Sequence, residues 1–238
     1  MTPDMADIRT SRTEPRPATP RALGRLSALL VRERELWSRG IVRVAGVDEA
    51  GVGPLAGPVV AAAVVFAPGT GIPGVDDSKR VAPARRVKLA DEIRRVALAH
   101  AVAVSDPGEI DRVNIYRATL LAMQRAVLAL PVRPDHVLVD ARRIPGIDVP
   151  QEAIIRGDAT CHAIAAASIL AKVVRDAMMA GYDADFPGYG FAAHTGYPTE
   201  AHRHAIRRLG PCAIHRLSFT LLPPRALWDD TGGGEVVP

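Results

Sequence analysis

One stretch constrains this chain more than any other: residues 44–58, with the sequence VAGVDEAGVGPLAGP. An apolar run ends there in two adjacent carboxylates, Asp48 and Glu49, and a Gly-x-Gly turn follows before a second apolar run begins. A short apolar run bounded by turn residues is typical of a buried strand. Because charged side chains are rarely buried unless they are paired or bind a metal, two acids at such a strand end indicate a functional site.

The composition favours a single globular domain, with room in its 238 residues for a small additional part. No apolar run approaches the roughly 20 residues that a membrane span needs, and the N-terminus lacks the apolar core of a signal peptide. The two cysteines form no CxxC motif, which favours neither a disulfide scaffold nor a zinc site. We therefore expect a cytoplasmic, monomeric protein in a reducing compartment, without contact to a membrane.

Hydrophobic periodicity divides the chain into alternating helices and strands. The Pro-, Thr- and Arg-rich start shows no periodicity, as is typical of a disordered tail. The predicted division is a tail at 1–20, a helix within 21–40, an α/β domain at 41–185, a helical part at 186–222 and a tail at 223–238. Strands are predicted near 42–49, 59–66, 97–104, 136–140 and 151–156, and helices near 21–38, 83–96, 115–130, 159–182 and 199–209. The short link between the first two strands predicts an antiparallel hairpin.

Four acids follow the apolar runs of three predicted strands. Asp48 and Glu49 close the first, Asp140 closes the fourth, and Asp158 follows the fifth. Functional sites in α/β sheets gather at strand ends, and carboxylates held close together raise one another's pKa or require a cation. Hard divalent ions prefer oxygen ligands, and a pair of them stabilises both oxygens in phosphoryl transfer. The four acids therefore predict a Mg²⁺ or Mn²⁺ site that cuts a phosphodiester.

Each acid also has a structural interpretation that the sequence leaves open. Asp158 precedes a predicted helix and could be its N-cap, and Asp140 could cap a turn. Successive side chains of a regular strand point to opposite faces. Asp48 and Glu49 can therefore serve one site only if the strand ends or bends at Asp48.

An ordered set of motifs resembles the ribonuclease HII family. The blocks run in family order from about residue 30 to residue 220. They are GVDEAGVGP (46–54), DSK (77–79), EIDRVNI (109–115), VD (139–140), GD (157–158), AASILAKV (166–173), FPGYGF (186–191), HTGYPT (194–199) and HRLSF (215–219).

The resemblance implies an RNase H-like fold, a mixed five-stranded sheet flanked by helices, with a catalytic domain at 41–185 and a small helical C-terminal part. It implies cleavage of the RNA strand of RNA–DNA hybrids and incision 5′ of ribonucleotides embedded in duplex DNA, leaving a 3′-hydroxyl and a 5′-phosphate. The four metal-site acids of the family fall on Asp48, Glu49, Asp140 and Asp158, with Mn²⁺ or Mg²⁺ as the cofactor. The sequence leaves open whether the chain contacts a replication clamp.

The resemblance also implies residues that contact the substrate sugar. The glycine-rich turn of the family, which contacts the 2′-hydroxyl through its backbone, falls on Gly51, Val52 and Gly53, and its junction-sensing tyrosine falls on Tyr197. Two positions depart from the family pattern, because Val52 and Thr195 replace its usual Arg and Lys. Both changes remove a positive charge, so we expect preserved chemistry with weaker substrate binding or altered selectivity.

Four basic residues are predicted phosphate contacts: Lys79, Arg142, Lys172 and Arg175. For each of them a solvated surface charge is the alternative. Helix packing accounts for Ser168, and the histidines between 194 and 215 show no metal-ligand spacing.

Two other functions remain open at this point. A junction resolvase or transposase-type nuclease would share the carboxylate chemistry but would not account for Gly51 and Gly53 together with Tyr197. A non-catalytic hybrid-binding protein would have no need of all four acids.

Overall fold

The computed structural model describes residues 19–222. The predicted tail at 223–238, and the predicted N-terminal tail up to residue 18, lie outside the described residues. The strands are β1 (Val44–Ala50), β2 (Val59–Val65), β3 (Ala99–Ser105), β4 (His136–Asp140) and β5 (Gln151–Ile154). The helices are α1 (Pro20–Leu29), α2 (Val31–Ser38), α3 (Pro83–Val96), α4 (Pro107–Val113), α5 (Ile115–Leu128), α6 (His162–Asp185), α7 (Phe191–His194) and α8 (Glu200–Leu209), with a 3₁₀ turn at Gly157–Ala159. No helix of the described part is long and apolar enough to cross a membrane.

The five strands form one mixed sheet in the order β3-β2-β1-β4-β5. Strand β2 pairs antiparallel with both β1 and β3, whereas β4 pairs parallel with both β1 and β5. The predicted antiparallel hairpin and the predicted five-stranded mixed sheet are confirmed. Because β1, β4 and β5 run in the same direction, their carboxyl ends meet at one edge of the sheet.

Helices cover both faces of the sheet and bury an apolar core on each. On one face, Ala45 and Val47 of β1 pack with α5, and on the other face β2 packs with α3 and α6. Helix α6 lies against β1 at Gly46, where an added Cβ would fall 2.1 Å from the Ala163 carbonyl carbon. Glycine at this position therefore lets the start of α6 approach the strand that carries the two acids.

The prediction of one N-terminal helix is wrong, because the chain forms two helices, α1 and α2, separated at Leu30. Leu26 of α1 and Leu30 at the break lie beside Gly71. After it, Leu36 joins a small core with Ile164 of α6. One straight helix has a single apolar stripe, so the break allows the segment to cover two separate surfaces.

The fifth strand and the long helix also differ from the prediction. Strand β5 ends at Ile154, and a 3₁₀ turn containing Asp158 separates it from α6, which begins at His162. Arg156 adopts the left-handed conformation with φ of 56° between the strand and this turn. This reversal of the chain sets the position of Asp158. Neither hydrophobic alternation nor secondary-structure propensity predicts it. The segment from Pro107 forms helix α4, and the Asp106 side chain caps it by accepting from the Glu109 amide.

Candidate active site

The carboxyl ends of β1 and β4 open into a cavity of about 270 Å³. Its lining includes every predicted site residue except Arg142: Asp48, Glu49, Gly51, Val52, Gly53, Lys79, Asp140, Asp158, Lys172, Arg175 and Tyr197. A larger cavity, of about 640 Å³, lies beside α8 and contains none of them. The structure therefore brings the sequence-predicted residues together at the sheet edge where parallel strands end.

The register of the parallel strands explains how the first acids meet. Val47 of β1 is opposite Val139 of β4, so the next positions of the two strands are Asp48 and Asp140. The sequence argument required the strand to end or bend at Asp48, and it does not end there, because its pairing with β2 continues to Ala50. Its pairing with β4 does end at Val47, which leaves this side of β1 open, and both Asp48 and Glu49 line the cavity.

Asp158 is held next to these acids by Asp140. The Asp140 carboxylate accepts a 2.7 Å hydrogen bond from the amide of Gly157, the residue before Asp158. The N-cap position of α6 is occupied by Cys161, so the N-cap interpretation of Asp158 is wrong. Asp158 is buried within the 3₁₀ turn and faces the cavity with the other acids.

The acids are buried close to one another, and their ionisation is disfavoured. Burial raises the pKa of Asp48 well above its ordinary value, and the charges of Glu49 and Asp140 raise it further. Burial also raises the pKa of Glu49, which the charge of Arg142 opposes. For Asp158, burial again raises the pKa, with smaller contributions from Asp77 and Asp140. The cluster therefore carries more negative charge than its protein surroundings balance.

Two basic side chains partly neutralise this charge. Arg142 Nη1 lies 3.4 Å from Glu49 Oε1, and Lys79 Nζ lies 3.7 Å from Asp158 Oδ2. The Lys79 side chain is 80% exposed, so it can also reach a ligand at the mouth of the cavity. Lys172, which lines the cavity, forms a half-buried ion pair with Asp176 at 2.5 Å one turn along α6.

Arg175 is fully buried, which the surface-charge alternative did not anticipate. Its Nε donates to the Pro58 carbonyl at 3.0 Å and its Nη2 to the Ala56 carbonyl at 3.2 Å. Its Nη1 is buried without a hydrogen-bond partner. We call residues 51–53 the glycine turn. Arg175 therefore supports the segment that directly follows this turn.

The glycine turn has a second support that sequence reasoning missed. The fully buried Arg216 donates to four carbonyls of residues 51–57, namely Gly51 at 2.6 Å, Val52 at 2.9 Å, Pro54 at 2.8 Å and Gly57 at 2.9 Å. Its position within the HRLSF block was the available signal, but spacing along the chain does not indicate a contact with the turn.

Tyr197 lies across the cavity mouth from the glycine turn. Its ring is 42% exposed, and a Cβ added to Gly53 would lie 3.8 Å from its Cε1 atom. The loop that carries it is joined to the turn by a 2.8 Å hydrogen bond from the Leu55 amide to the Gly196 carbonyl. The turn and the exposed ring therefore form two sides of one opening.

Ser168 has a contact beyond the helix packing that was predicted for it. Its hydroxyl donates to the hydroxyl of Ser78 at 2.8 Å, and both serines line the cavity. Among residues 19–222, no three His, Cys, Asp or Glu side chains are arranged as a ready-made metal site. Cations held by the four acids would therefore complete their shells with waters, as Mg²⁺ usually does.

Comparison with known proteins agrees with this geometry. Residues 45–222 match the model of the family described as Ribonuclease HII. Ribonuclease HII of Moorella thermoacetica is 55% identical over 195 residues, which cover 82% of this chain and 95% of the relative.

Two solved structures share the fold. The ribonuclease H2 of Pyrococcus horikoshii OT3 is 26% identical, with a TM-score of 0.65 over 75% of this chain and 94% of that chain. The structure of the PCNA:RNase HII complex from Archaeoglobus fulgidus gives 25% identity and a TM-score of 0.64, covering 77% of this chain and 98% of that chain. The predicted RNase H-like fold is confirmed. The chain therefore belongs to the ribonuclease HII family and is a ribonuclease H, a nuclease of the hydrolase class.

Proposed function

We propose that this ribonuclease H incises duplex DNA on the 5′ side of embedded ribonucleotides and also cuts the RNA strand of RNA–DNA hybrids. The products would be a 3′-hydroxyl and a 5′-phosphate. The observation that carries the proposal is a single cavity lined by four carboxylates, the glycine turn and Tyr197. The carboxylates suit hydrolysis of a phosphodiester, and the turn and the ring suit recognition of its sugar.

The donor set fits a hard divalent cation, Mg²⁺ or Mn²⁺, bound by Asp48, Glu49, Asp140 and Asp158. All four side chains offer oxygen ligands, and their negative charge is only partly balanced by Lys79 and Arg142. When bound, such ions supply a nucleophilic water and neutralise charge on the phosphate. In this arrangement Asp140 also fixes the backbone beside Asp158 through its hydrogen bond to the Gly157 amide.

Ribose recognition is proposed for the glycine turn and Tyr197. The 2′-hydroxyl is the group that distinguishes a ribonucleotide within DNA. Gly53 is exposed and has no Cβ, so a sugar can approach the backbone of the turn. Tyr197 is exposed on the other side of the opening, and we assign it to stack on the sugar of the next nucleotide, where it would detect a missing hydroxyl by shape.

Phosphate contacts are proposed for three of the four predicted basic side chains. Lys79 is exposed at the cavity mouth, Lys172 lines the cavity, and Arg142 lies beside Glu49. Arg175 is not among them, because its Nε and Nη2 hold the carbonyls of Pro58 and Ala56 and its unpartnered Nη1 is buried. Phosphate contacts position the duplex without reading its sequence, so the selectivity is assigned to the turn and Tyr197.

The test is cleavage of a duplex that carries one ribonucleotide, with Mg²⁺ or Mn²⁺ present. Incision 5′ of the ribonucleotide, with a 3′ end that a polymerase extends, is the expected result. Asp48→Asn should abolish cutting while the variant still binds the duplex in a mobility-shift assay. The matched control is Asp91→Asn, whose carboxylate is exposed on α3. Unchanged cleavage by Asp48→Asn, or incision that ignores the ribonucleotide, would overturn the proposal.

A further inference from the structure

Three histidines pack behind Tyr197 and have no part in the chemistry proposed above. They are His194, His202 and His215, in the C-terminal part of the chain. His202 is fully buried and His215 is 2% exposed. Phe191 packs against both rings, with centroids 5.4 Å from His202 and 5.7 Å from His215. Three imidazoles this close to a substrate-contacting loop call for a role other than filling the core.

The hydrogen bonds of His202 and His215 fix the tautomer of both rings. His202 Nδ1 lies 3.0 Å from the Tyr197 carbonyl, which can only accept, so this nitrogen carries the proton. His202 Nε2 is then an acceptor, and it lies 3.2 Å from His215 Nε2, which must donate. The remaining nitrogen, His215 Nδ1, accepts from the Cys212 amide at 2.9 Å. Every ring nitrogen has a partner, and the bonds run in one direction from Cys212 to Tyr197.

Burial keeps this arrangement in its neutral form. It lowers the pKa of His202 to about 4 and also lowers the pKa of His215. A second proton on His202 would make both Nε2 atoms donors facing each other, and a second proton on His215 would make its Nδ1 a donor facing the Cys212 amide. A fully satisfied buried polar network of this kind has one arrangement of its bonds, and therefore holds its end groups in fixed positions.

The His215 end of this chain of hydrogen bonds is attached to the glycine turn. His215 precedes Arg216, whose guanidinium holds the carbonyls of Gly51 and Val52. The backbone of the same segment forms two further bonds, from the Arg216 amide to the Leu55 carbonyl at 2.9 Å and from the Gly57 amide to the Ile214 carbonyl at 2.8 Å. The segment around His215 therefore contacts the glycine turn directly and the Tyr197 backbone through His202.

We propose that His202 and His215 are positioning residues that fix Tyr197 relative to the glycine turn and thereby set the selectivity for single embedded ribonucleotides over long hybrids. The inference rests on the proposed function, because it requires Tyr197 to contact the nucleotide next to the ribonucleotide. A displaced ring weakens recognition of the junction, whereas a continuous hybrid offers a ribose at every position of its RNA strand.

The first test compares kcat/KM on a duplex with one ribonucleotide and on an RNA–DNA hybrid. His202→Leu removes the donor to the Tyr197 carbonyl, and His204→Leu is the control on the same helix, since His204 is exposed. We expect His202→Leu to reduce the ratio of the two kcat/KM values about tenfold, a loss of about 1.4 kcal/mol in discrimination, and His204→Leu to leave it unchanged. His202→Asn places an amide donor near the Nδ1 position and should restore part of the ratio. A folded His202→Leu variant with the wild-type ratio would overturn the inference.

A double-mutant cycle separates positioning from general loss of structure. If His202 acts through Tyr197, His202→Leu should cost no further selectivity in a Tyr197→Ala background. Equal loss in both backgrounds would overturn the inference. If the leucine variant does not fold, His202→Asn takes its place in the same cycle. A wild-type protein that cuts neither substrate would overturn the proposed function and this inference together, whereas selective wild-type cutting with an unchanged ratio in the variants overturns the inference alone.

Discussion

Arg216 Nη2 donates a 2.6 Å hydrogen bond to the carbonyl of Gly51, although the two residues are 165 positions apart in the sequence. The same guanidinium binds three further carbonyls of residues 52–57, and the side chain is fully buried. Burial lowers the pKa of Arg216 to about 9, and the charge of Arg175 lowers it as well. The shape of the glycine turn therefore depends on a charged side chain that is balanced mainly by backbone carbonyls.

Arg216→Lys should preserve the charge but lose most of these bonds, since an ammonium group cannot reproduce the planar fork of a guanidinium. Hydrogen bonds to a charged group contribute about 1.5–3 kcal/mol each, so losing even two of the four should lower the free energy of unfolding by about 3–6 kcal/mol. Urea unfolding measures this loss. Arg95→Lys, an exposed position on α3, is the control, and equal stability of the two variants would contradict the role of Arg216.

The two glycines of the turn should respond differently to alanine. Gly51 has φ of +97°, and a Cβ there would lie 2.1 Å from Arg175 Nε and 2.6 Å from the Pro58 carbonyl oxygen. The left-handed conformation alone costs an L-residue about 1–2 kcal/mol, so Gly51→Ala should reduce both thermal stability and cleavage. At Gly53 the added Cβ meets only Tyr197, at 3.8 Å, so Gly53→Ala should fold normally and lose activity by obstructing the substrate.

Thermal unfolding and cleavage of the same preparations distinguish these effects. Gly69, which also has positive φ but no neighbour within 4 Å of an added Cβ, serves as a control for backbone strain without a clash. Gly69→Ala should be less destabilising than Gly51→Ala. Equal losses of stability in Gly51→Ala and Gly53→Ala would contradict the expectation that only Gly51 lacks room for a side chain.

Local pattern predicted the elements that carry the acids but not the contacts that hold the turn. The link between β1 and β2 predicted their hairpin, and apolar runs ending in Asp48 and Asp140 predicted that these side chains would meet. The carbonyl contacts of Arg216 depend on partners far away in the sequence, and the tautomer of His202 depends on the loops that bring Tyr197 and His215 to its ring. Periodicity carries no information about either. The break at Leu30 arises from two packing surfaces that exist only in the folded protein.

Val52→Arg should strengthen substrate binding. Val52 is partly exposed beside the cavity, and an arginine there would add one positive charge near the substrate backbone. Neutralising one more phosphate steepens the dependence of log K on log salt by about 0.9, so affinity should rise most at low salt. Binding titrations at several salt concentrations, with cleavage of both substrates, measure this effect. Val87→Arg on α3 is the exposed control, and no change in binding or in either activity would contradict the expectation.

Asp48→Asn should stabilise the protein at neutral pH when divalent cations are absent. Burial, Glu49 and Asp140 raise the pKa of Asp48, so the folded protein holds its proton more tightly than the unfolded chain, whose aspartates titrate near pH ~3.9. The contribution of this group to stability is therefore complete at lower pH and is lost as the pH rises through the folded pKa. Asparagine does not ionise, so Asp48→Asn removes this pH dependence of stability.

A cation should reverse the order of the two proteins. A ligand at 100 times its Kd adds about 2.7 kcal/mol to the stability of the folded state, so Mn²⁺ or Mg²⁺ should raise the Tm of the wild type more than that of Asp48→Asn. Thermal unfolding at pH 8 with chelator and with metal provides the comparison. An identical metal response in both proteins would exclude Asp48 as a ligand.

Glu33 should make a second contribution to the pH dependence of stability, at a place remote from the acid cluster. It is 1% exposed on α2, and its Oε1 accepts a 2.8 Å hydrogen bond from the Ala163 amide in the first turn of α6. Its Oε2 is buried without a partner, and burial raises the pKa of Glu33 to about 7. Its stabilising contribution is complete below pH ~4.3, the ordinary value for a glutamate, and is lost as the pH rises through about 7.

Glu33→Gln retains an acceptor for Ala163 and should therefore unfold with a weaker pH dependence between these limits, whereas Glu35→Gln, exposed on the same helix, should match the wild type. Urea unfolding at pH 5, 6, 7 and 8 measures the slopes, and parallel curves for wild type and Glu33→Gln would show that Glu33 is ionised in the folded protein throughout this range.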